Sequence, residues 1–474
     1  DDEKVTNHAN NEGTWDPDVC FDDKYDEFIV AWEEGQAYYP PWSYGFKQEI
    51  RASIYDSSGT KQVDDKLIYQ DSYTYYRNED PSIASNDDNK WFVAWEHFEP
   101  KNTPPYDPGA NTMNIKARSV SKSGSDLSLG SIIDVCTETN CQADPNVEYD
   151  SVNDRFFVCW EDAREGTDDY NIYGKLYNAN TGAQYGPEIT VADGSSNELE
   201  PWVAFDSINE QFFVVWEEGV TANNGPFTIY GEIFNSDFSS SVWSGQISSS
   251  GTDDTDYNFP TVCFDENTEL YLVTWNDGDI SDDDFWGNIH GKIYDYDGDV
   301  IADDFTISSG NFVRTDIITY EFDAYFVSYD DNSDIYGKLV SGDGNVLSNE
   351  IKLSISTDPD MEADWANLGY GDGKILVAWE DLRVDYPAQY DDVYPDVFIN
   401  IWNLDIPDEA EVSYVVQSEK DLILSAHVTS IEIDPSDLKE WDEFDASFSG
   451  SITFDILDGS TGNIVLSGVS PPAD

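Results

Sequence analysis

A short apolar strand that ends in an aromatic residue and an acid recurs seven times along the 474-residue chain. The copies are Phe28-Ile-Val-Ala-Trp32-Glu33, Trp91-Phe-Val-Ala-Trp95-Glu96, Phe156-Phe-Val-Cys-Trp160-Glu161-Asp162 and Phe212-Phe-Val-Val-Trp216-Glu217. Tyr271-Leu-Val-Thr-Trp275-Asn-Asp277, Tyr325-Phe-Val-Ser-Tyr329-Asp330 and Ile375-Leu-Val-Ala-Trp379-Glu380-Asp381 complete the set. Their terminal aromatics stand 50 to 65 residues apart. That period suits a four-stranded propeller blade and exceeds most helical solenoid repeats. The runs are apolar on both faces of a strand, so both faces must be covered, as when blades stack around an axis.

Each unit carries three further strand signals. A first strand follows an acid–proline step, at Asp16-Pro17, Asp80-Pro81, Asp144-Pro145 and Glu200-Pro201. A third recurs as Asn171-Ile-Tyr-Gly174, Thr228-Ile-Tyr-Gly231, Asn288-Ile-His-Gly291 and Asp334-Ile-Tyr-Gly337. Turns such as Asp56-Ser-Ser-Gly59 then lead into a fourth strand, for example Glu188-Ile-Thr-Val191. The last unit stops after a third strand at Asp396–Trp402, whereas residues 4–17 align with the fourth-strand region 189–201. The N-terminus is therefore expected to complete the last blade and remove an exposed edge. The prediction is an all-β chain: a seven-bladed β-propeller over residues 1–405, closed by an N-terminal strand, followed by a small Ig-like β-sandwich over residues 406–474. Alternating runs around Val412, Leu422, Ser451–Leu457 and Asn463–Ser467 supply the strands of that second domain, a spacer or assembly module.

The repeat, an acid–proline strand, a Trp-Glu-Asp strand and Asp/Asn-Ile-Tyr-Gly, resembles those of secreted and cell-surface propellers of archaea and some bacteria. The resemblance spans most of the chain and implies an extracellular setting without an assigned chemistry. Neither the Ser-x-Asp-x-Gly-x-Thr-Trp box of sialidases nor the Gly-His…Trp-Asp pattern of WD40 blades occurs.

Charge narrows the partners. Acids number 97 and bases 23, a net charge of −74, which excludes nucleic-acid binding through a basic footprint. Apolar runs of about five residues predict no membrane insertion. A chain starting at Asp1 rather than Met reads as a processed, secreted product. The five cysteines do not form a framework, although Cys136 and Cys141 are close enough in sequence for a local disulfide. Asp295-Tyr-Asp-Gly-Asp299 has acids at alternate positions like a calcium loop, but without its companion Glu it reads as a hairpin turn.

Propeller connectivity gathers the acid–proline steps and the post-Trp acids on one face, here termed upper. Glu33, Asp80, Glu96, Asp144, Glu161, Asp162, Asp277, Asp330, Glu380 and Asp381 are the candidate metal ligands, with Ca2+ as the cofactor because it takes six to eight such oxygens. The competing expectation is that repeated acids cap turns or pair with Arg164 and Arg383. Three long upper loops in blades 7, 1 and 2 carry Tyr38, Tyr39, Trp42, Tyr44, Tyr106, Tyr386, Tyr390 and Tyr394, a candidate ligand patch for sugars or a protein. The expected role is a non-enzymatic structural, adhesive or assembly subunit of a cell surface, filament or matrix, with a protein partner or copies of itself. The alternatives are a lectin using the blade 7–1–2 patch and a polysaccharide hydrolase or lyase. Glycoside hydrolysis needs only two well-placed carboxylates, but among 97 acids a pair carries almost no sequence signal.

Overall fold

The computed structural model describes residues 3–5, 13–35, 48–71, 77–99, 112–166, 169–220, 225–252, 255–278, 286–320, 323–331, 333–354, 363–381, 395–402, 454–457 and 464–469. Seven antiparallel sheets follow one another as blades, six of four strands and one of five. Blade 1 contains β2 (Gly13–Asp22), β3 (Glu27–Gly35), β4 (Gln48–Asp56) and β5 (Lys61–Tyr69). Blade 2 contains β6 (Arg77–Ser85), β7 (Trp91–Glu99), β8 (Thr112–Ser123) and β10 (Ile133–Cys136), with β9 (Asp126–Leu129) paired to the end of β8. Blade 3 runs β11 (Gln142–Asp150), β12 (Arg155–Gly166), β13 (Asp169–Asn178) and β14 (Gln184–Ala192). Blade 4 runs β15 (Asn197–Asp206), β16 (Gln211–Gly219), β17 (Phe227–Asn235) and β18 (Ser241–Gln246). Blade 5 is β19 (Asn258–Asp265), β20 (Leu270–Asn276), β21 (Gly287–Asp295) and β22 (Val300–Phe312). Blade 6 is β23 (Thr315–Tyr320), β24 (Ala324–Asp330), β25 (Ile335–Ser341) and β26 (Ile351–Lys352).

Blade 7 closes the ring as expected. It takes β27 (Ala363–Gly371), β28 (Lys374–Asp381) and β29 (Asp396–Trp402) from one end of the chain, and β1 (Glu3–Lys4) from the other. Glu3 pairs with Ile399 and Lys4 with Phe398, and the Val5 N–H donates to the Val397 carbonyl at 3.0 Å. Val5 is fully buried, and Lys4 forms an ion pair with Asp396 at 2.6 Å.

The apolar core is divided among the blade interfaces. Seven clusters of buried side chains each join two neighbouring blades. The terminal aromatic of every second strand packs against the preceding blade. Trp32 meets Leu376 and Ile399 of blade 7, Trp160 joins Ile115 and Val135 of blade 2, and Trp379 joins Phe326 and Leu339 of blade 6. This arrangement explains why the second strands are apolar on both faces: β3 is buried at all nine positions.

The recurring third-strand glycine has a steric cause. A Cβ on Gly174 would stand 2.4 Å from the Phe157 ring, and one on Gly337 would stand 2.3 Å from that of Phe326. Both rings belong to the second strand of the same blade. Gly174→Ala is therefore expected to destabilise the fold by about 1–3 kcal/mol through overpacking, measured as a lower denaturation midpoint.

Other sequence expectations resolve locally. Cys136 and Cys141 are free thiols, with their sulfurs against Asp162 and Met113 respectively, so the suggested disulfide does not form. Asp295 accepts the N–H groups of Asp297 and Asp299 at 3.0 and 2.8 Å, and Gly298 has φ +80°, which makes the segment a hairpin turn. Beyond residue 402 the described residues form one hairpin, β30 (Phe454–Leu457) with β31 (Ile464–Val469). The remainder of the expected β-sandwich lies outside the described residues. Among the described residues, no helix is long and apolar enough to cross a membrane.

Candidate functional site

In blades 1–4 the innermost strand meets the axis through the acid–proline step, and the step is strained. Pairing between first and second strands shifts register there in six blades, from Trp15/Asp18 in blade 1 to Asp364/Asn367 in blade 7. At each bulge one residue has a left-handed φ near 50°: Asp16, Asp80, Asp144, Glu200, Phe259 and Trp365. The conformation is costly for a residue with a Cβ, and such strain persists where surrounding structure enforces it, often at functional sites. Blade 6 has no shift, and Arg314 stands at the corresponding place just before β23. Seven residues thus ring the axis: four acids from blades 1–4, then Phe259, Arg314 and Trp365.

The post-Trp acids enforce this ring. Glu380 accepts the Asp16 N–H at 2.7 Å, and Glu96 accepts that of Asp144 at 2.8 Å. Glu161 accepts the Glu200 N–H at 3.2 Å, and Glu217 that of Phe259 at 2.6 Å. Each bond runs from one blade to the next, so these glutamates staple the ring while holding the strained backbone. A second layer lies two residues further in. Asp18 accepts the Ile83 N–H, Ser82 that of Val147, Asn146 that of Val203 and Asp316 that of Leu368.

Together the ring residues and their prolines line a funnel of about 130 Å³. Asp18, Ser82, Asn146 and Trp202 line both the funnel and a deeper cavity of about 230 Å³ that also meets Cys20, Glu148, Cys263 and Asp316. The site is crowded with carboxylates. Burial first, then mutual repulsion, holds Asp16, Asp80 and Asp144 well above the usual carboxylate range, although Arg314 pulls all three down. Glu33, Glu96, Glu161 and Glu217 are raised for the same reasons, and Glu380 is pushed up to about 8. Below them, burial raises Asp18 to about 6, Asp316 to about 7 and Glu148 to about 8.

These shifts set the pH dependence of stability. A carboxyl whose native pKa exceeds its unfolded value binds more protons in the folded state. Its stabilising contribution is complete below about pH 4 and disappears as pH rises through the native value. The melting midpoint is therefore expected to climb as pH is lowered from 8 to 5, and relief of charge repulsion acts in the same direction. A midpoint that falls over this range would contradict the assigned protonation of the axial acids.

The structure separates the predicted metal ligands. One oxygen each of Asp80, Glu96 and Asp144 lies within 4.8 Å of the others, and among the described residues only this group reaches such proximity. Glu161 and Glu380 belong to the stapling layer, whereas Glu33 accepts the Gln48 side-chain amide within its own blade at 3.0 Å. Asp162 and Asp381 leave the candidate set, because they accept the indole N–H of Trp160 and Trp379 at 2.9 and 3.2 Å. Asp162 also pairs with Arg164, one of the expected ion pairs. Asp277 is bound by His290 at 3.0 Å and by Asn288. Asp330 is a buried terminus of β24 outside the three-oxygen cluster. The aromatic patch of Tyr38, Tyr39, Trp42, Tyr44, Tyr106, Tyr386, Tyr390 and Tyr394 lies outside the described residues. Arg314, Phe259 and Trp365 were not among the candidates. Aligning the repeats at the acid–proline slot would have exposed all three, since each replaces an acid there.

No protein-family model and no curated protein matches the chain. Solved structures do share the fold. Polysaccharide lyase Uly1 aligns with TM-score 0.50 at 8% identity, over 82% of this chain and 90% of its own. A Dyadobacter fermentans protein of unknown function aligns at 0.49 and 10% identity, over 84% and 98%. Trypanosoma rangeli sialidase aligns at 0.44 and 11% identity, over 84% of this chain but only 59% of the sialidase. The expectation of a non-enzymatic structural or adhesive subunit is corrected here. A polysaccharide lyase shares the fold at TM-score 0.50, and the acids too numerous to interpret in sequence converge on one axial funnel.

Proposed function

We propose that the axial funnel is a carbohydrate-active site that hydrolyses a glycosidic bond, using Asp80 and Asp144 as the paired carboxyl groups. The close approach of their oxygens at the mouth of the funnel is the observation that carries this reading. Burial, then repulsion from the surrounding acids, holds both well above the usual carboxylate range, which favours one protonated and one ionised member. The protonated member donates to the glycosidic oxygen as the C–O bond breaks, and the ionised member attacks the sugar carbon from the opposite face. Water then cleaves the glycosyl ester, with the first member now acting as base. A separation below ~5.5 Å suits this double displacement with retention, whereas inversion requires roughly 6.5–9.5 Å to accommodate a water between the groups. Glu96 stands behind the pair and fixes the Asp144 backbone. The remaining acids supply negative potential for an oxocarbenium-like transition state. A polysaccharide is the substrate class that fits an open, acidic funnel.

A second reading rests on the same three oxygens. Asp80, Glu96 and Asp144 form an all-oxygen donor set of the kind calcium accepts. Reducing-sugar release from a panel of neutral and acidic polysaccharides tests hydrolysis, and melting in millimolar CaCl2 against NaCl of equal ionic strength tests the ion. Release lost in Asp80→Asn supports the first reading. A midpoint raised by calcium alone, without turnover of any glycan, supports the second.

A further inference from the structure

We propose that Arg314 anchors a carboxylate on the ligand, so that the funnel selects acidic sugars; this deepens the carbohydrate-site reading and rests on it. The guanidinium carbon of Arg314 lies 3.3 Å from the Trp365 ring centroid and 4.4 Å from that of Phe259. The two aromatics occupy the neighbouring slots of the axial ring and grip the guanidinium by cation–π contact. Stacking of this kind leaves the planar edge, with its five N–H donors, available to an acceptor.

Among the described residues, Arg314 makes no ion pair and no side-chain hydrogen bond. Every other described arginine is satisfied: Arg51, Arg77, Arg155 and Arg164 by carboxylates, and Arg118 by the carbonyls of Ile68 and Gly130. In a chain with 97 acids and 23 bases, an arginine without a carboxylate is anomalous. The ring acids that share its funnel do not reach it. Asp16, Asp80, Asp144 and Glu200 occupy blades 1–4, whereas Phe259, Arg314 and Trp365 occupy blades 5–7. The funnel is consequently polar across its width, with carboxyl groups along one arc and a lone positive fork on the other. A sugar bearing a carboxylate matches both sides. Its carboxylate takes the fork in bidentate fashion, and its hydroxyls and glycosidic oxygen face the acid arc.

Calorimetric titration of the full chain carrying Asp80→Asn, with methyl β-D-glucuronoside and methyl β-D-glucoside as probes, tests the assignment. The uronoside is expected to bind at least ~10-fold more tightly than the neutral glycoside, a difference of about 1.4 kcal/mol. Arg314→Ala should abolish that preference. Arg314→Lys, which keeps the charge and removes the fork, should retain only part of it and controls for loss of fold. Equal affinity for the two probes, a preference that survives Arg314→Ala, or equally tight binding of a 6-sulfated glucoside would overturn the carboxylate assignment. The two readings fail separately. Turnover of a glycan combined with equal affinity for the two probes sinks this inference and spares the hydrolase. An Arg314-dependent uronoside preference without turnover of any glycan does the reverse.

Discussion

Asp80→Asn and Asp144→Asn are each expected to lower kcat on a cleaved glycan by about 10²–10⁴-fold, with little change in KM. Asparagine preserves the shape of the side chain and removes the titrating group. A loss confined to kcat therefore separates proton transfer and nucleophilic attack from positioning. The two substitutions should be far from additive, since acid and nucleophile act in one double displacement and loss of either already stops it. Both variants should fold, because asparagine tolerates the left-handed φ of 46° at Asp80 and 48° at Asp144, and Glu96 holds the Asp144 backbone through its main-chain N–H. Equal losses in kcat and melting midpoint for both would instead indicate that the carboxyls are structural.

The second large effect concerns ring closure. Removing residues 1–5 should convert a closed propeller into one whose seventh blade exposes β29 along its length. The deletion eliminates the β1 pairing, the Val5 bond to Val397, the Lys4–Asp396 ion pair and the Lys61 bond to the Val5 carbonyl. Burial of Val5 alone contributes about 1.5–3 kcal/mol, and an unpaired strand edge invites association between molecules. Broadened, less cooperative unfolding and concentration-dependent aggregation are expected. A longer deletion would not test closure cleanly, because β2 begins at Gly13 and the Val397 N–H donates to Thr14. Monodisperse behaviour with an unchanged midpoint in the short deletion would mean that β1 is not the clasp.

The blade count, the strand order within each blade and the N-terminal closure were all legible in sequence. Each depends on local patterning: apolar runs with strand period, turn residues, and a missing fourth strand matched by an extra one at the other terminus. The convergence of acid–proline steps on one face was legible as well, because it follows from connectivity. The roles of individual acids were not. Glu96 directly follows Trp95 and Asp162 lies two residues after the equivalent Trp160, yet Glu96 staples the next blade whereas Asp162 binds an indole and Arg164. A one-residue offset on a pleated strand sends side chains to opposite faces, and a repeat pattern alone does not state what each face meets. The proposed carboxyl pair was hidden for a related reason. Two carboxylates of 97 are statistically invisible until the fold places them within 4.8 Å. Arg314 stayed hidden because it interrupts the acid–proline pattern, although a break in a repeat is itself a signal that one blade does something different.

The most direct test of the central claim is time-resolved ¹H NMR of polysaccharides incubated with the full chain, following the anomeric protons. The carboxyl spacing predicts that a new reducing-end signal first appears with the anomeric configuration of the substrate bond, and that Asp80→Asn leaves the spectrum unchanged. First appearance of the inverted anomer, cleavage that persists in Asp80→Asn, or silence across neutral and acidic polysaccharides alike would contradict it.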